Sequence, residues 1–426
     1  MKNNKFRGFW LVLLIISFSS SIAVWADEPT KLEKCKIRFA YWRLTSEPQN
    51  TIMKEIVKKF TDANPQVTVE LDPISHTQIL DQFTIQSIGG DAPDIVIVPF
   101  QNVPKFVQMG FVHPLTEYLK NDPKFLDQFY DFLIPMMTIN GQVYGVPHDI
   151  ASSTLYYNKK LFREAGLPDT PPTNYAEFLK DARALSKPNI GQYGFGLSGT
   201  TEASNQSRWY SMFWASGTAL VDPADEKTVL LDTKEGIAAF KRIVELFTVN
   251  RVCTPSPVDL GYNDMMTLFA NGKLGMMQQN IGAAVAITKA NPNLEFGIAP
   301  FVWEDYGITK EGAMAFISES SKHKDVAWVF LKHLVSFESI RDWSIPLNYL
   351  PPRKDVGKLK EVQGNPVIST YLNNILPHAT MFTRLTQNES VWNVFFREVT
   401  LALQGKNVEK AAKDAAADMR KIINGQ

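Results

Sequence analysis

Ile37-Arg-Phe-Ala-Tyr41, Thr51 to Ala63, Val67-Thr-Val-Glu-Leu71, Thr77 to Ile88 and Asp94-Ile-Val-Ile-Val98 follow one another near the start of the chain. In the first and third pieces apolar residues alternate with others (Ile37, Phe39, Tyr41; Val67, Val69, Leu71), the period of a strand. In the second, Ile52, Ile56 and Phe60 recur every four residues, a helical stripe that Asn64-Pro65 ends. Thr77 to Ile88 reads as a second helix, and Ile95 to Val98 as a short strand buried on both faces. The order β-α-β-α-β predicts a mostly parallel sheet with helices on both sides. In such sheets a ligand sits beyond the carboxyl ends of the strands.

Beyond Tyr144 a second α/β region opens. Leu155-Tyr-Tyr157 reads as strand and Lys159 to Ala165 as a helix closed by Gly166. Asn174 with Glu177, and Asp232 with Glu235, have capping-box spacing before the helices that reach Leu185 and Phe247. Asn263 is placed to cap a helix ending at Asn271-Gly272. Ser321 to Val335 and Glu409 to Ile422 complete the helical pattern. A chain of 426 residues implies more than one core, and no internal repeat or low-complexity tract interrupts it.

The composition narrows the function. Hydrophobic residues make up 45% and charged residues 21%, with 44 basic against 44 acidic. This balance gives no electrostatic footprint for nucleic acid. Residues 1–26 differ from the rest: Lys2, Lys5 and Arg7 precede an apolar run from Phe9 to Phe18, and Val24-Trp25-Ala26 fits a cleavage site. The run is too short for a membrane span. The expectation is a signal peptide over 1–26 and a soluble exported protein. Cys35 follows a charged approach, Leu32-Glu33-Lys34, unlike a lipid-attachment cysteine, and no bridge to Cys253 is expected.

Catalytic motifs are missing. The six histidines show no metal-ligand spacing with one another or with cysteine, so no metal or cofactor is expected. Gly194-Phe-Gly196-Leu-Ser-Gly199 matches the dinucleotide pattern, but no helix opens from it, and a glycine-rich strand and turn accounts for it. Tyr156-Tyr157 suggests ferric-iron ligands, yet strand alternation sends the two to opposite faces, and core packing is the better account. Paired carboxylates for glycoside hydrolysis are not singled out.

Phe60-Thr-Asp-Ala-Asn-Pro65, Gly90-Asp-Ala-Pro-Asp94, Gly141-Gln-Val-Tyr-Gly-Val-Pro147 and Leu155 to Gly166 occur in this order. Pro171 to Phe178, Leu268 to Lys273, Ile317 to Lys322 and Leu350-Pro-Pro-Arg-Lys-Asp355 follow. With these segments the chain resembles the family 1 extracellular solute-binding proteins of ABC importers, which include maltose- and glycerol-phosphate-binding proteins. The resemblance implies two α/β lobes, 35–147 with 312–344 and 148–311 with 345–426, and a ligand clamped between them. It also implies a non-enzymatic, periplasmic and monomeric protein that carries a mono- or oligosaccharide to membrane permease subunits. A polyamine, iron or organophosphate cargo, and a secreted glycosidase, remain alternatives.

The candidate ligand-binding residues follow from strand ends and from that resemblance. A sugar needs aromatic faces for its C–H side and fixed polar groups for its hydroxyls. Trp42 and Arg43 end the first strand, and Glu47 lies in the next loop. His76 opens the second helix and Phe100 follows the third strand. Asp149 and Ala151 lie past Pro147 at the first crossing, and Asn205 and Trp209 in a polar-aromatic stretch read as a loop. Asn280 follows Met276-Met-Gln-Gln279, Gly312 opens the return strand, where glycine lets a backbone amide approach ligand, and by resemblance Phe100 and Tyr349 are contact positions. Trp392 stands about where glycerol-phosphate binders carry an arginine, which implies a stacking face and a neutral sugar. Gly282 and Ala151 replace larger or polar groups of maltose binders, so the sugar itself stays open.

Overall fold

The computed structural model describes residues 32–425 except Glu202, Phe382 and Arg384, so the expected signal peptide lies outside the described residues. The strands are β1 (Cys35–Tyr41), β2 (Val67–Asp72), β3 (Ile95–Pro99), β4 (Thr138–Ile139), β5 (Gln142–Val143) and β6 (Val146–Ala151). They continue with β7 (Ser153–Asn158), β8 (Tyr193–Gly196), β9 (Leu274–Asn280), β10 (Phe296–Ala299), β11 (Thr309–Ile317) and β12 (Thr380–Met381). A six-stranded sheet runs β12-β11-β3-β1-β2, with β6 also paired to β11. A four-stranded sheet runs β10-β7-β9-β8, and β4 with β5 forms a hairpin.

β1 is parallel to β2 and β3, as the alternation of strand and helix implies. The antiparallel pairs, β11 with β3 and β6 and β7 with β9 and β10, arise where the chain returns between the sheets. β3 lies between β1 and β11, and helices cover both sides. Ile95, Val96, Ile97 and Val98 are therefore all fully buried, which explains their uninterrupted apolar run. The helix Gln49–Ala63 buries Met53, Ile56, Val57 and Phe60. Phe60 meets Phe330 of the helix Lys324–Leu334 at 4.9 Å, and Phe330 meets Phe39 of β1 edge-on at 5.6 Å. Removing a ring from this cluster costs about 3–5 kcal/mol.

The second sheet has a core on each face. Leu155 and Tyr157 of β7 pack on one side with Trp209, Phe240 and Phe395, while Tyr156 faces Phe269, Met277 and Ile287. Both tyrosines are buried, Tyr156 donating to the Asn280 carbonyl at 2.9 Å. Gly194 follows from the same packing: a Cβ there would lie 2.0 Å from the Ala182 carbonyl oxygen. The glycine pattern is thus a tight strand-to-helix contact.

Several local expectations shift. Asn174 caps its helix by accepting from Glu177 N at 2.9 Å, but Glu177 reaches back to Thr173. Thr233, one residue after Asp232, caps the helix Lys234–Thr248, and Asp232 instead pairs with Arg420. The helix Tyr262–Ala270 starts after Gly261, whose amide donates to Asp264 at 2.9 Å. The stretch 345–379 was expected with the second lobe. Its Leu350, Val356, Val362, Ile368, Tyr371 and Ile375 are buried in the core around the six-stranded sheet instead. Apolar periodicity shows that such residues are buried, not against which sheet. Between the sheets the chain crosses from β6 to β7 at Ser152 alone, and returns between β10 and β11 through 300–308.

Candidate functional site

The carboxyl ends of β1, β3, β6 and β9 converge with the start of β11, which runs antiparallel, and with the helix Ala203–Ala215. They enclose a cavity of about 210 Å³ lined by Trp42, Arg43, His76, Pro99, Gln101, Asp149, Ala151, Gln206, Ser207, Asn280, Glu311 and Gly312. A second cavity of about 250 Å³ shares Arg43, Asp149, Ala151 and Asn280 and adds Met266, Gly282, Ala286 and Tyr349 among its walls. The two adjoin at these four shared residues, the Arg43–Asp149 pair among them, and together form the cleft.

That pair is held from all sides. Asp149 is 2% exposed; its Oδ2 accepts from Tyr41 Oη at 3.0 Å and lies 3.1 Å from Arg43 Nε. Arg43 Nη1 donates to Tyr349 Oη at 2.7 Å, and Gln49 Nε2 donates to the same oxygen at 3.0 Å. The guanidinium lies 4.4 Å from the Tyr349 ring centre and 5.6 Å from that of Trp42, in cation–π range. Burial opposes the Arg43 charge, but the Asp149 carboxylate beside it outweighs burial and holds the group protonated. Burial, then Asp149, pushes the Tyr41 hydroxyl far above its ordinary range, so it stays a donor.

His76 stands edge-on to Trp42 at 5.4 Å, and burial, then Arg43, lowers its pKa, which leaves the imidazole neutral at pH 7. Glu311 occupies the opposite wall. Its Oε1 accepts from Ser153 Oγ at 2.7 Å and from Thr309 Oγ1, which itself accepts from Ser153 N at 3.0 Å. Asn280 caps the helix Ile281–Ala290, its side chain accepting from Gly282 N at 3.1 Å. Gly312 has φ +150°, and a Cβ there would meet the Asp149 carbonyl oxygen at 2.3 Å and Phe100 Cε2 at 2.5 Å. Backbone of β11 and β6 can approach so closely only with glycine at this position.

Of the residues expected from sequence, Trp42, Arg43, His76, Asp149, Ala151, Asn280 and Gly312 line the first cavity, and Tyr349 the second. The other five line neither. Glu47 accepts from Thr51 at the start of its helix. Phe100 is buried beneath Gly312. Asn205 and Trp209 lie on a helix, not a loop; both are fully buried, and both bond to Ser198. Trp392 is 2% exposed among Tyr210, Phe395 and Phe396, so it offers no stacking face. Sequence reading missed Gln101, Gln206, Ser207 and Glu311. Gln101 directly follows Phe100 and Glu311 precedes Gly312, so both stand next to positions that the sequence singles out.

The family model described as bacterial extracellular solute-binding protein matches residues 45–339. A binding protein of Brucella abortus is 26% identical over 381 residues, covering 87% of this chain and 89% of its own. The maltotriose-binding protein of Pyrococcus abyssi is 24% identical over 315 residues, 71% of this chain and 64% of its own. Among solved structures, an ABC transporter solute-binding protein from Thermotoga lettingae bound with α-D-tagatose superposes with a TM-score of 0.79 at 25% identity. The match covers 92% of this chain and 100% of that one.

Proposed function

We propose that this chain, which belongs to the bacterial extracellular solute-binding protein family, binds a neutral mono- or oligosaccharide in the cleft and delivers it to the permease of an ABC importer. The observation that carries the reading is the composition of the cleft. Trp42 and Tyr349 supply aromatic faces, while Gln101, Gln206, Ser207, Asn280 and Glu311 supply polar groups for hydroxyls. Arg43 is the one strong cation among the described lining residues, and Asp149 neutralises it. With His76 neutral, Glu311 leaves the lining slightly negative, which disfavours a phosphorylated or acidic cargo. Relatives that bind tagatose, maltotriose and arabinooligosaccharides support the same class.

The binding residues in this reading are Trp42, Arg43, His76, Asp149, Ala151, Asn280, Gly312 and Tyr349, joined by Gln101, Gln206, Ser207 and Glu311. Closure of the two lobes would bury the sugar, driven by contacts that only the closed state makes. The protein acts as a periplasmic monomer without chemistry of its own, exported by residues 1–26. A thermal-shift screen against hexoses, oligosaccharides, glycerol phosphates, polyamines and ferric citrate tests it. A sugar at a thousand times its Kd stabilises by about 4 kcal/mol. A shift with polyamine or phosphate compounds alone would overturn the cargo, and product release from an oligosaccharide would overturn the binding-only role.

A further inference from the structure

The first strand carries chemistry at both ends. Trp42 and Arg43 follow its carboxyl end at the cleft, while Cys35 is its first residue, seven positions from Tyr41 inclusive and about 20 Å away. There Cys35 Sγ, a Glu33 carboxylate oxygen and a His323 ring nitrogen all lie within 4.8 Å of one another. His323 Nδ1 is 2.6 Å from Glu33 Oε1. From these positions we propose that Glu33, Cys35 and His323 form a site for one divalent cation of the zinc class, a site separate from the cleft.

The donor set and the spacing both fit. Thiolate, imidazole and carboxylate are the three ligand types that zinc accepts, at about 2.3, 2.0 and 2.0–2.2 Å. A tetrahedral centre with those bond lengths puts its ligand atoms about 3.3–3.6 Å apart. The pair Glu33–His323 therefore opens by under about 1 Å, and Cys35 closes by at most about 1.3 Å. Two of the ligands are held in place by the fold. Cys35 is fixed in the ladder opposite Val67, its amide donating to Gln66 O at 3.2 Å. His323 directly precedes the helix Lys324–Leu334; its amide donates to Ser321 Oγ at 3.2 Å, and Ser321 donates to Asp94 at 2.5 Å. Asp94 also accepts from Arg38 N at 2.8 Å, so it supports the loop and is not a fourth ligand. Glu33 is more than half exposed, which leaves the fourth position to water.

Sequence spacing could not reveal this cluster, because Glu33 and His323 are 290 positions apart. Binding would displace the Cys35 proton and tie the segment before β1 to the loop before the helix.

The test uses the purified protein stripped of metal with a chelator. Cobalt(II) is titrated while thiolate-to-cobalt charge-transfer absorption is followed, and zinc is then added in competition. The expected result is one equivalent of cobalt with a charge-transfer band, displaced by zinc. Cys35→Ser loses the band, and Glu33→Gln and His323→Asn each weaken zinc binding at least tenfold. The far-UV circular dichroism spectrum and the cooperativity of metal-free urea unfolding in all three variants match the unaltered protein, which reports that they are folded. Absence of the band, its retention in Cys35→Ser, or unchanged zinc affinity in the Glu33 and His323 variants would each overturn the site.

Discussion

His148 sets up a measurable dependence of stability on pH. The side chain is fully buried on β6, edge-on to Tyr41 at 5.3 Å and to Trp343 at 5.1 Å. Neither ring nitrogen finds a hydrogen-bond partner among the described residues. Burial lowers its pKa to about 4; Asp149 opposes that shift and Arg43 adds to it. The unfolded chain protonates this histidine near 6.5, while the folded protein resists until about pH 4. The stabilisation is therefore complete above pH 6.5 and is lost as the pH falls toward 4. The total is on the order of 3 kcal/mol, and roughly 2 kcal/mol of it disappears between pH 7 and pH 5. His148→Leu removes the titration at nearly constant volume. Urea unfolding of both proteins at pH 7 and pH 5 isolates the effect, since the packing change and the remaining histidines cancel in the difference. The unaltered protein should lose roughly 2 kcal/mol more than the variant over that interval. Equal losses would refute a neutral, unsolvated His148.

Other expectations separate the cleft from its supports. Trp42→Ala and Tyr349→Ala should each weaken sugar binding at least tenfold without unfolding the protein, as read by titration calorimetry and circular dichroism. Trp392→Ala should do the reverse, lowering stability by about 3–5 kcal/mol in denaturant melts through its lost core packing, while affinity per folded molecule is retained. Gly312→Ala should cost at least about 2 kcal/mol, because the new methyl meets the Asp149 carbonyl in a backbone conformation that side chains avoid. Wild-type stability in that variant would mean that β6 and β11 are not so close.

The fold was legible where one physical signal dominated. Ile37, Phe39 and Tyr41 against Ile52, Ile56 and Phe60 show a strand and a helix by period alone, and β1–β3 stand parallel as that order requires. Positions just past the end of the first strand were legible too, which brought Trp42 and Arg43 to the cleft, as the expected crossing after Pro147 did Asp149. A tryptophan suits a stacking platform and a core equally well, which misplaced both Trp209 and Trp392, and Trp209 also stands on a helix where the sequence reads as a loop. Glu311 was invisible because an acid in a strand reads as a solvated residue until Ser153 and Thr309 are seen to hold it. The segment 345–379 was misplaced because connectivity between two cores leaves no mark on hydrophobic periodicity.

The single-residue passage at Ser152 has a mechanical consequence. β6 ends at Ala151 beside Glu311, and β7 begins at Ser153 beside Asn280, so groups that line the cavity sit almost at the crossover, the fulcrum of any closure under the proposed function. A slight rotation there is magnified with distance, much as a short handle moves a long blade. The outer rims of the protein would therefore travel much farther than the atoms that touch the cargo. A partner gripping those rims would read, as a large displacement, what the cleft registers as a small one.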